Sequence, residues 1–251
     1  MIAMEDSGDS ETVKAPIMRP GVFVAREGIP FILIALAIAA LVFVFAGVIA
    51  GAVSLLLPAF VTNFFRDPER EPPSGEDLVV SPADGKVLSV AEVDESRFLN
   101  RRMKRVCVFM NVFNVHVNRV PVSGKILAVT YNPGKFLMGY AEKASLDNEQ
   151  NALVIEKAKG QEILFIQIAG LVARRIVCYL KGGERVTRGE RFGLIRFGSR
   201  VDIYMPLETE IRVKVGDKVS AGESVLGRLV GDTVPAGTVR SSLEEPLRSR
   251  T

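Results

Sequence analysis

A mainly β protein, a pseudo-symmetric sandwich or barrel preceded by an apolar membrane helix or helical hairpin, is the fold that this sequence predicts. Three observations carry the prediction: a long uncharged apolar run near the N-terminus, short Val/Ile/Leu runs punctuated by turn residues thereafter, and two pairs of internal repeats. With 251 residues, 48% of them hydrophobic, the chain suffices for one sizeable domain and an appendage. The expected divisions are an N-terminal tail (1–27), a membrane segment (28–65), a β-rich domain (66–232) and a loose C-terminal tail (233–251).

The apolar run has no charged residue from Gly28 to Phe65, and its centre reads FILIALAIAALVFVFAGVIAGAVSLLL. A secretory signal has a shorter apolar core and a cleavage site close behind it, so this run belongs in a bilayer. As one straight helix, residues 31–57 would span roughly 40 Å at about 1.5 Å per residue, against a hydrocarbon core about 30 Å thick. Either the helix tilts, or it breaks near Gly47 and Gly51 into a hairpin; the sequence leaves both open. Arg66, Arg70 and the dense run Arg97, Arg101, Arg102, Lys104 and Arg105 follow the apolar segment, which places the large C-terminal part on the cytoplasmic side of the cell membrane. That run, like Arg174-Arg175, suits nucleic acid, anionic lipid or phosphorylated ligands, or is simply a solvated face. Cys107 and Cys178 lie in apolar runs without metal-type spacing and read as reduced core residues.

Beyond EPPSGED, turn signals recur about every eight to twelve residues between KVLSVAEV, RVCVFMNVFNVHVNRV, KILAVTY, ALVIEKA, EILFIQIAG, RIVCYL, FGLIRF, VDIYM and IRVKV, the pattern of an all-β sandwich or barrel. RFLNRRMKR and MGYAEKASLDN read as short helices within it. PADGKVL (82–88) recurs as PVSGKIL (121–127), and GERVTRGERFG (183–193) recurs with one extra residue as GDKVSAGESVLG (216–227). Such repeats predict pseudo-symmetric halves. The second pair is similar to the turn-strand-turn units of lipoyl carriers and duplicated-hybrid-motif domains, without the carriers' modified-lysine context.

The chemistry is narrowed by scarcity. His116 is the only histidine, so a catalytic zinc is not expected, and no glycine-rich phosphate loop is present. Between the strand-like FGLI and VDIYM lies Phe197-Gly198-Ser199-Arg200, a glycine and a hydroxyl at a strand junction. By itself Gly-Ser is an ordinary turn dipeptide.

Its company alters that reading. SPADGKV (81–87), FNVHVNRVPVSG (113–124), DNEQN (147–151) and RFGSRVDIYMP (from Arg196) follow one another in order, behind an apolar segment. Over about residues 20–230 the chain resembles the short form of the phosphatidylserine decarboxylase proenzyme. The resemblance implies self-cleavage between Gly198 and Ser199, by attack of Ser199 Oγ on the Gly198 carbonyl, an N-to-O acyl shift and elimination. A covalent pyruvoyl group derived from Ser199 then caps the small α chain (199–251), leaving a large β chain (1–198). It further implies a Schiff base between that pyruvoyl group and phosphatidylserine, loss of carbon dioxide, release of phosphatidylethanolamine, and no metal. Glycine at 198 permits close approach of a hydroxyl, and serine supplies both nucleophile and, after elimination, ketone.

Asp84 matches the family's aspartate that supports the self-cleavage base; its bland reading is a turn residue before Gly85. His116 matches the first histidine of the longer bacterial enzymes' His-x-x-His pair, near substrate and the proton-transfer step. Arg119 stands where the second histidine would, and an arginine is a poor base. Either His116 activates Ser199, or strain and Asp84 suffice. The implied partners are phosphatidylserine and membrane lipid, not nucleic acid, with a homodimer plausible because exposed β edges are commonly covered that way. The competing class is a membrane-anchored binding module in which Gly198-Ser199 is only a turn.

Overall fold

A computed structural model describes residues 23–134, 148–157, 160–170, 175–196 and 199–230. Phe197, Gly198, Arg174, most of MGYAEKASLDN, residues 1–22 of the expected N-terminal tail and all of the expected C-terminal tail lie outside the described residues.

The apolar run forms helix α1 (Ile29–Ser54), entered through a single 3-10 turn at Arg26–Gly28, and helix α2 (Leu56–Phe64). α1 is long and apolar enough to cross a membrane, but it is not straight. Gly47 sits at φ 85°, ψ 176°, a conformation open to glycine and not to a helical side chain, and it breaks the helix. The chain then folds back: Ser54 Oγ donates to the carbonyls of Gly51 and, across the legs, Ala39. Ala35, Ala39, Gly51 and Pro58 are buried along this course, the small residues that let two legs approach, while Leu33, Val44, Phe45 and Ile49 remain exposed. Pro58 lacks the N–H that would continue the ladder to Ser54, consistent with the separation of α1 from α2. At the foot, Val24 bridges Arg66, Ala25 N–H donates to Phe65 O at 2.8 Å and Asp67 N–H to Phe23 O at 2.8 Å. The question left open by the sequence is thus answered as a hairpin whose two ends lie side by side.

The β region contains β1 (Leu78–Val80), β2 (Gly85–Glu95), β3 (Arg101–Met110), β4 (Val117–Arg119), β5 (Gly124–Asn132), β6 (Gln150–Glu156), β7 (Glu162–Ala169), β8 (Ile176–Cys178), β9 (Arg185–Val186), β10 (Arg191–Ile195), β11 (Ser199–Met205), β12 (Glu210–Ile211), β13 (Lys218–Val219) and β14 (Val225–Arg228). Among the described residues they form an antiparallel eight-stranded sheet, β13-β2-β3-β11-β7-β6-β5-β9, and two three-stranded sheets, β1-β14-β12 and β4-β10-β8. The large core, including Val79, Val108, Met110, Phe165, Phe192, Ile195, Val201, Ile203 and Leu226, lies between the large sheet and the small ones. A second cluster around Phe98, Met103, Ile166, Ile168 and Tyr204 covers the other face.

The strand order reads the same from either edge, and the repeats explain why. Gly85 and Lys86 face Val219 and Lys218, as Gly124 and Lys125 face Val186 and Arg185. The β2–β3 register slips between Val87 and Ser89, and β5–β6 slips at the equivalent step between Ile126 and Ala128. Val87 N–H donates to Asp217 O, and Ile126 N–H to Glu184 O. One unit is continuous (β4–β10); the other is β1–β3 completed by β11–β14, so β11 and β7 meet at the centre.

Two expectations are corrected. RFLNRRMKR is not a helix, because Arg101 onward is strand β3. Nor is its basic run a free patch: the β2–β3 register sets Glu95 opposite Arg101, Asp94 opposite Arg102 and Glu92 opposite Lys104, with Arg102 and Glu92 also paired diagonally at 3.2 Å. Opposite charges on neighbouring strands stabilise the pairing, while Arg101 pairs with Glu162 at 3.3 Å and Lys104 donates to Thr209 O.

Candidate active site

Ser199 opens β11, a strand that is buried along its whole length. It sits directly between Met110 at the end of β3 and Ala169 at the end of β7. Directly opposed residues share a sheet face, so Ser199 belongs to the row of Val201, Ile203 and Met205 that faces the main core. Its Oγ is buried and has no hydrogen-bond partner among the described residues.

Asp84 precedes β2 at the same end of the sheet. Gly85 brings the β2 backbone so close to β3 that a Cβ would lie 2.0 Å from Phe109 O, at a φ of 151° that side chains rarely adopt. Phe109 and Met110 are the residues that pair with Arg200 and Ser199. The Asp84 carboxylate is held by Arg70, with Nη1–Oδ1 2.7 Å and Nη2–Oδ2 3.0 Å, and accepts the Ala221 N–H at 2.8 Å. It is therefore more firmly clamped than a turn aspartate requires.

His116 follows the tight turn after β3 and leads into β4. Its carbonyl accepts Ile195 N–H, at the end of β10 and just before the segment that reaches Ser199. Nδ1 lies 2.9 Å from Asn114 O. A carbonyl only accepts, so Nδ1 carries the proton and neutral His116 presents Nε2 as an acceptor. Nε2 is buried and, like Ser199 Oγ, has no partner among the described residues. An unmade hydrogen bond of this kind costs about 1–3 kcal/mol, and two such atoms stand at one end of the sheet.

The hairpin completes the site. Phe64, the last residue of α2, stacks on the His116 ring with centroids 4.0 Å apart and planes 31° apart. Burial pushes the imidazole pKa down to about 4; the Asn114 hydrogen bond opposes this, the Arg66 charge adds to it, and the Asp84 charge favours the imidazolium. His116 is thus neutral across ordinary pH.

The linker FRDPER straps the hairpin to the β domain. Arg66 donates to Asn63 O at 2.7 Å and to Phe113 O at 2.8 Å, on the turn before His116. Asp67, buried, takes Arg191 Nε at 2.7 Å and Arg119 Nη2 at 3.5 Å. Arg119 also donates to Gly189 O and Pro68 O. The residue at the second-histidine position is therefore a clamp for the strap. Arg200 and Asp202 form a buried bidentate pair on the opposite face of β11 from Ser199. Cys107, beside them, has its thiol pushed up to about 12 by burial and then by the Asp202 charge, and both Cys107 and Cys178 are free thiols. Residues 148–151 line the site's flank: Asn148 Nδ2 donates to Ala169 O, and Asn151, Gln167 and Asn118 form a buried amide chain.

Phe64 and Gln167 were not singled out from sequence, and Arg66 and Arg70 were read there only for membrane orientation. FFRDPER carried the only signal, two acids flanked by two arginines directly after an apolar segment, and nothing local assigns their partners.

Comparison with known proteins gives the family. A sequence model of the family described as phosphatidylserine decarboxylase matches residues 57–227. A phosphatidylserine decarboxylase proenzyme from Syntrophus aciditrophicus (strain SB) is 53% identical over 212 residues, covering 84% of this chain and 99% of that protein. Proteins of the same name are 50% identical in Geotalea uraniireducens (strain Rf4), over 82% of this chain and 96% of theirs, and in Paraburkholderia xenovorans (strain LB400), over 84% and 99%. A match over most of the chain, spanning the foot of the hairpin, the Asp84 and His116 turns and the Ser199 strand, makes this chain a member of the phosphatidylserine decarboxylase family.

Proposed function

We propose that this chain cuts itself between Gly198 and Ser199, and that the two-chain product converts phosphatidylserine to phosphatidylethanolamine at the cytoplasmic face of the cell membrane. The observation that carries the reading is the buried, unpartnered Ser199 Oγ at the head of β11, at the same end of the sheet as the unpartnered His116 Nε2. Serine is a weak nucleophile until a base takes its proton. Neutral His116 accepts that proton as Oγ bonds to the Gly198 carbonyl carbon. Its imidazolium, a strong acid because of its burial, returns the proton to the departing Ser199 nitrogen as the peptide C–N bond breaks. Elimination then takes the Ser199 Cα proton and breaks the Cβ–O bond, freeing the Gly198 carboxylate. Tautomerisation, addition of water and loss of ammonia leave the ketone.

The two orphaned atoms and the absence of a competing partner for the Ser199 side chain fit a pyruvoyl group at this place. That group supplies an electrophile for the substrate amine and a sink for the electron pair left by carbon dioxide. His116 remains beside it as proton donor and acceptor, Asp84 and Arg70 hold the β2 turn, and Phe64 keeps water from the imidazole. The equivalent pairing of the two repeat units sets β11 beside β7 at the centre of the large sheet. The exposed edges suit a homodimer.

The test is the mass of the purified protein. Wild type should separate under denaturing conditions into chains 1–198 and 199–251, the smaller blocked at its N-terminus and active on phosphatidylserine; Ser199→Ala should remain one chain of 27.4 kDa without activity. A wild type that stays whole would refute the reading and leave Gly198-Ser199 as a turn.

A further inference from the structure

An open groove of about 640 Å³ runs up one face of the hairpin. Its walls are Ile32 and Leu36 of α1 and Pro58 and Ala59 of α2, and Thr62, Asn63 and Arg66 stand at its lower end with Phe23 and Val24. Pro58 and Thr62 stand one i, i+4 step apart on α2, roughly 6 Å at about 1.5 Å per residue, and Arg66 follows just beyond the helix end at Phe64, where it bridges Val24. One end is apolar and the other carries a cation.

Arg66 connects this groove to the active site. Its guanidinium spends one hydrogen bond on Asn63 O and one on Phe113 O. Arginine has five N–H donors, leaving others for an anion. Phe113 O belongs to the turn that leads to His116, and the Arg66 charge is felt at the imidazole. An anion seated on Arg66 would therefore lie between the hydrocarbon-facing groove and the Ser199–His116 site.

We propose that this groove seats one acyl chain of the phospholipid substrate while Arg66 holds the phosphate, aiming the headgroup at Ser199. The proposal rests on the decarboxylase reading for the identity of the headgroup. An amphiphile with an apolar chain and a monoanionic phosphate at one end is the ligand whose polarity and charge match both ends of the groove. A guanidinium suits phosphate by its planar fork of donors. The apolar walls lie on the hairpin, the part of the molecule exposed to lipid. Arg66 thus acts as a binding and specificity residue, and the hairpin is the upper half of the substrate site as well as an anchor.

The experiment uses the full chain in lipid nanodiscs and a phosphatidylserine bearing a photoactivatable group in one acyl chain. Labelling is mapped by peptide mass on wild type and on Ser199→Ala, which tests the groove independently of cleavage and turnover. Labels should concentrate on Ile32, Leu36 and Ala59, and Ala59→Trp, which fills the groove, should reduce them at least fivefold. Labels spread evenly over exposed hairpin residues such as Phe45 and Val48 would show annular lipid only and overturn the proposal. Competition separates the two ends: unlabelled phosphatidylserine should displace the probe, whereas diacylglycerol, without phosphate, and glycerophosphoserine, without acyl chains, should not. Equal displacement by diacylglycerol removes Arg66 from the site, and equal displacement by glycerophosphoserine removes the acyl seat. In turnover, Arg66→Gln should raise KM about tenfold with a smaller change in kcat, the loss of one charge-assisted contact, and Arg66→Lys should recover part of it. An unchanged KM, or a fall confined to kcat, contradicts a phosphate contact. If wild type labels the groove but does not decarboxylate, the decarboxylase reading fails and the lipid site stands.

Discussion

Replacing Phe64 should change the acid–base behaviour of His116 in a way that can be read directly. The Phe64 ring lies 4.0 Å from the imidazole, centroid to centroid, and His116 is 2% exposed. Burial is the largest cause of the fall in its pKa to about 4 from 6.5. Phe64→Ala opens that side of the ring to water and should move the value back towards 6.5. At pH 5.5 the neutral fraction would fall from about 97% to as little as about 9%, close to a tenfold loss of the base form.

The assay is a ¹³C NMR titration of the histidine side chain in the uncut Ser199→Ala protein. The chain contains one histidine, so the signal needs no assignment. Stability gives a second readout. Between pH 6.5 and about 4 the unfolded chain takes a proton on His116 that the folded chain refuses, so stability falls as pH falls through that window. A depression of this size corresponds to a loss on the order of 3 kcal/mol by the lower limit, and Phe64→Ala should flatten that dependence. Because removal of a buried phenylalanine can itself cost about 3–5 kcal/mol, Phe64→Leu provides a better-packed companion variant with a smaller shift in the same direction. A parent midpoint near 6.5, or a midpoint unmoved by Phe64→Ala, would refute the account of the hairpin as the cover of His116.

Gly85→Ala should prevent the β2 turn from closing, since the new Cβ would meet Phe109 O at 2.0 Å in a disfavoured backbone conformation. The expected cost is at least about 1–3 kcal/mol from backbone strain alone, and an unchanged melting temperature of the uncut protein would contradict it. Asp67→Asn leaves Arg191 and Arg119 buried without their shared carboxylate; the loss should be about 3–5 kcal/mol, measured as a lower denaturant midpoint, with earlier proteolysis at the strap between hairpin and β domain. A midpoint equal to the parent's would mean that the strap is held by its backbone contacts alone.

Local chemistry made much of this protein legible in its sequence. An uncharged run of this length has no stable place in water, alternating apolar residues between turn signals suit strands, and repeats such as PADGKVL and PVSGKIL force equivalent units to pair alike. The equivalent bulges at Val87/Ser89 and Ile126/Ala128 show how literally that repetition is carried into the register. The Gly198-Ser199 junction was legible for the same reason, since it separates two strand-like runs, and Ser199 does begin β11.

Tertiary structure decided what depends on partners distant in the chain. Whether the apolar run crosses straight or turns back is settled by Gly47 together with the pairing of Val24 and Arg66. The basic run near residue 100 is rich enough in helix-compatible residues to be misread, because the acids Glu92 and Glu162 that pair with Arg102 and Arg101 lie on other segments and only the folded chain brings them together. Phe64 looks like one more apolar residue until α2 ends against His116. Arg119 looks like a failed histidine until Asp67 and Pro68 are seen in its grasp. Residue type and spacing fix periodicity and turn propensity within a few residues, whereas burial, charge pairing and a shifted pKa arise only when packing brings remote segments together and excludes water.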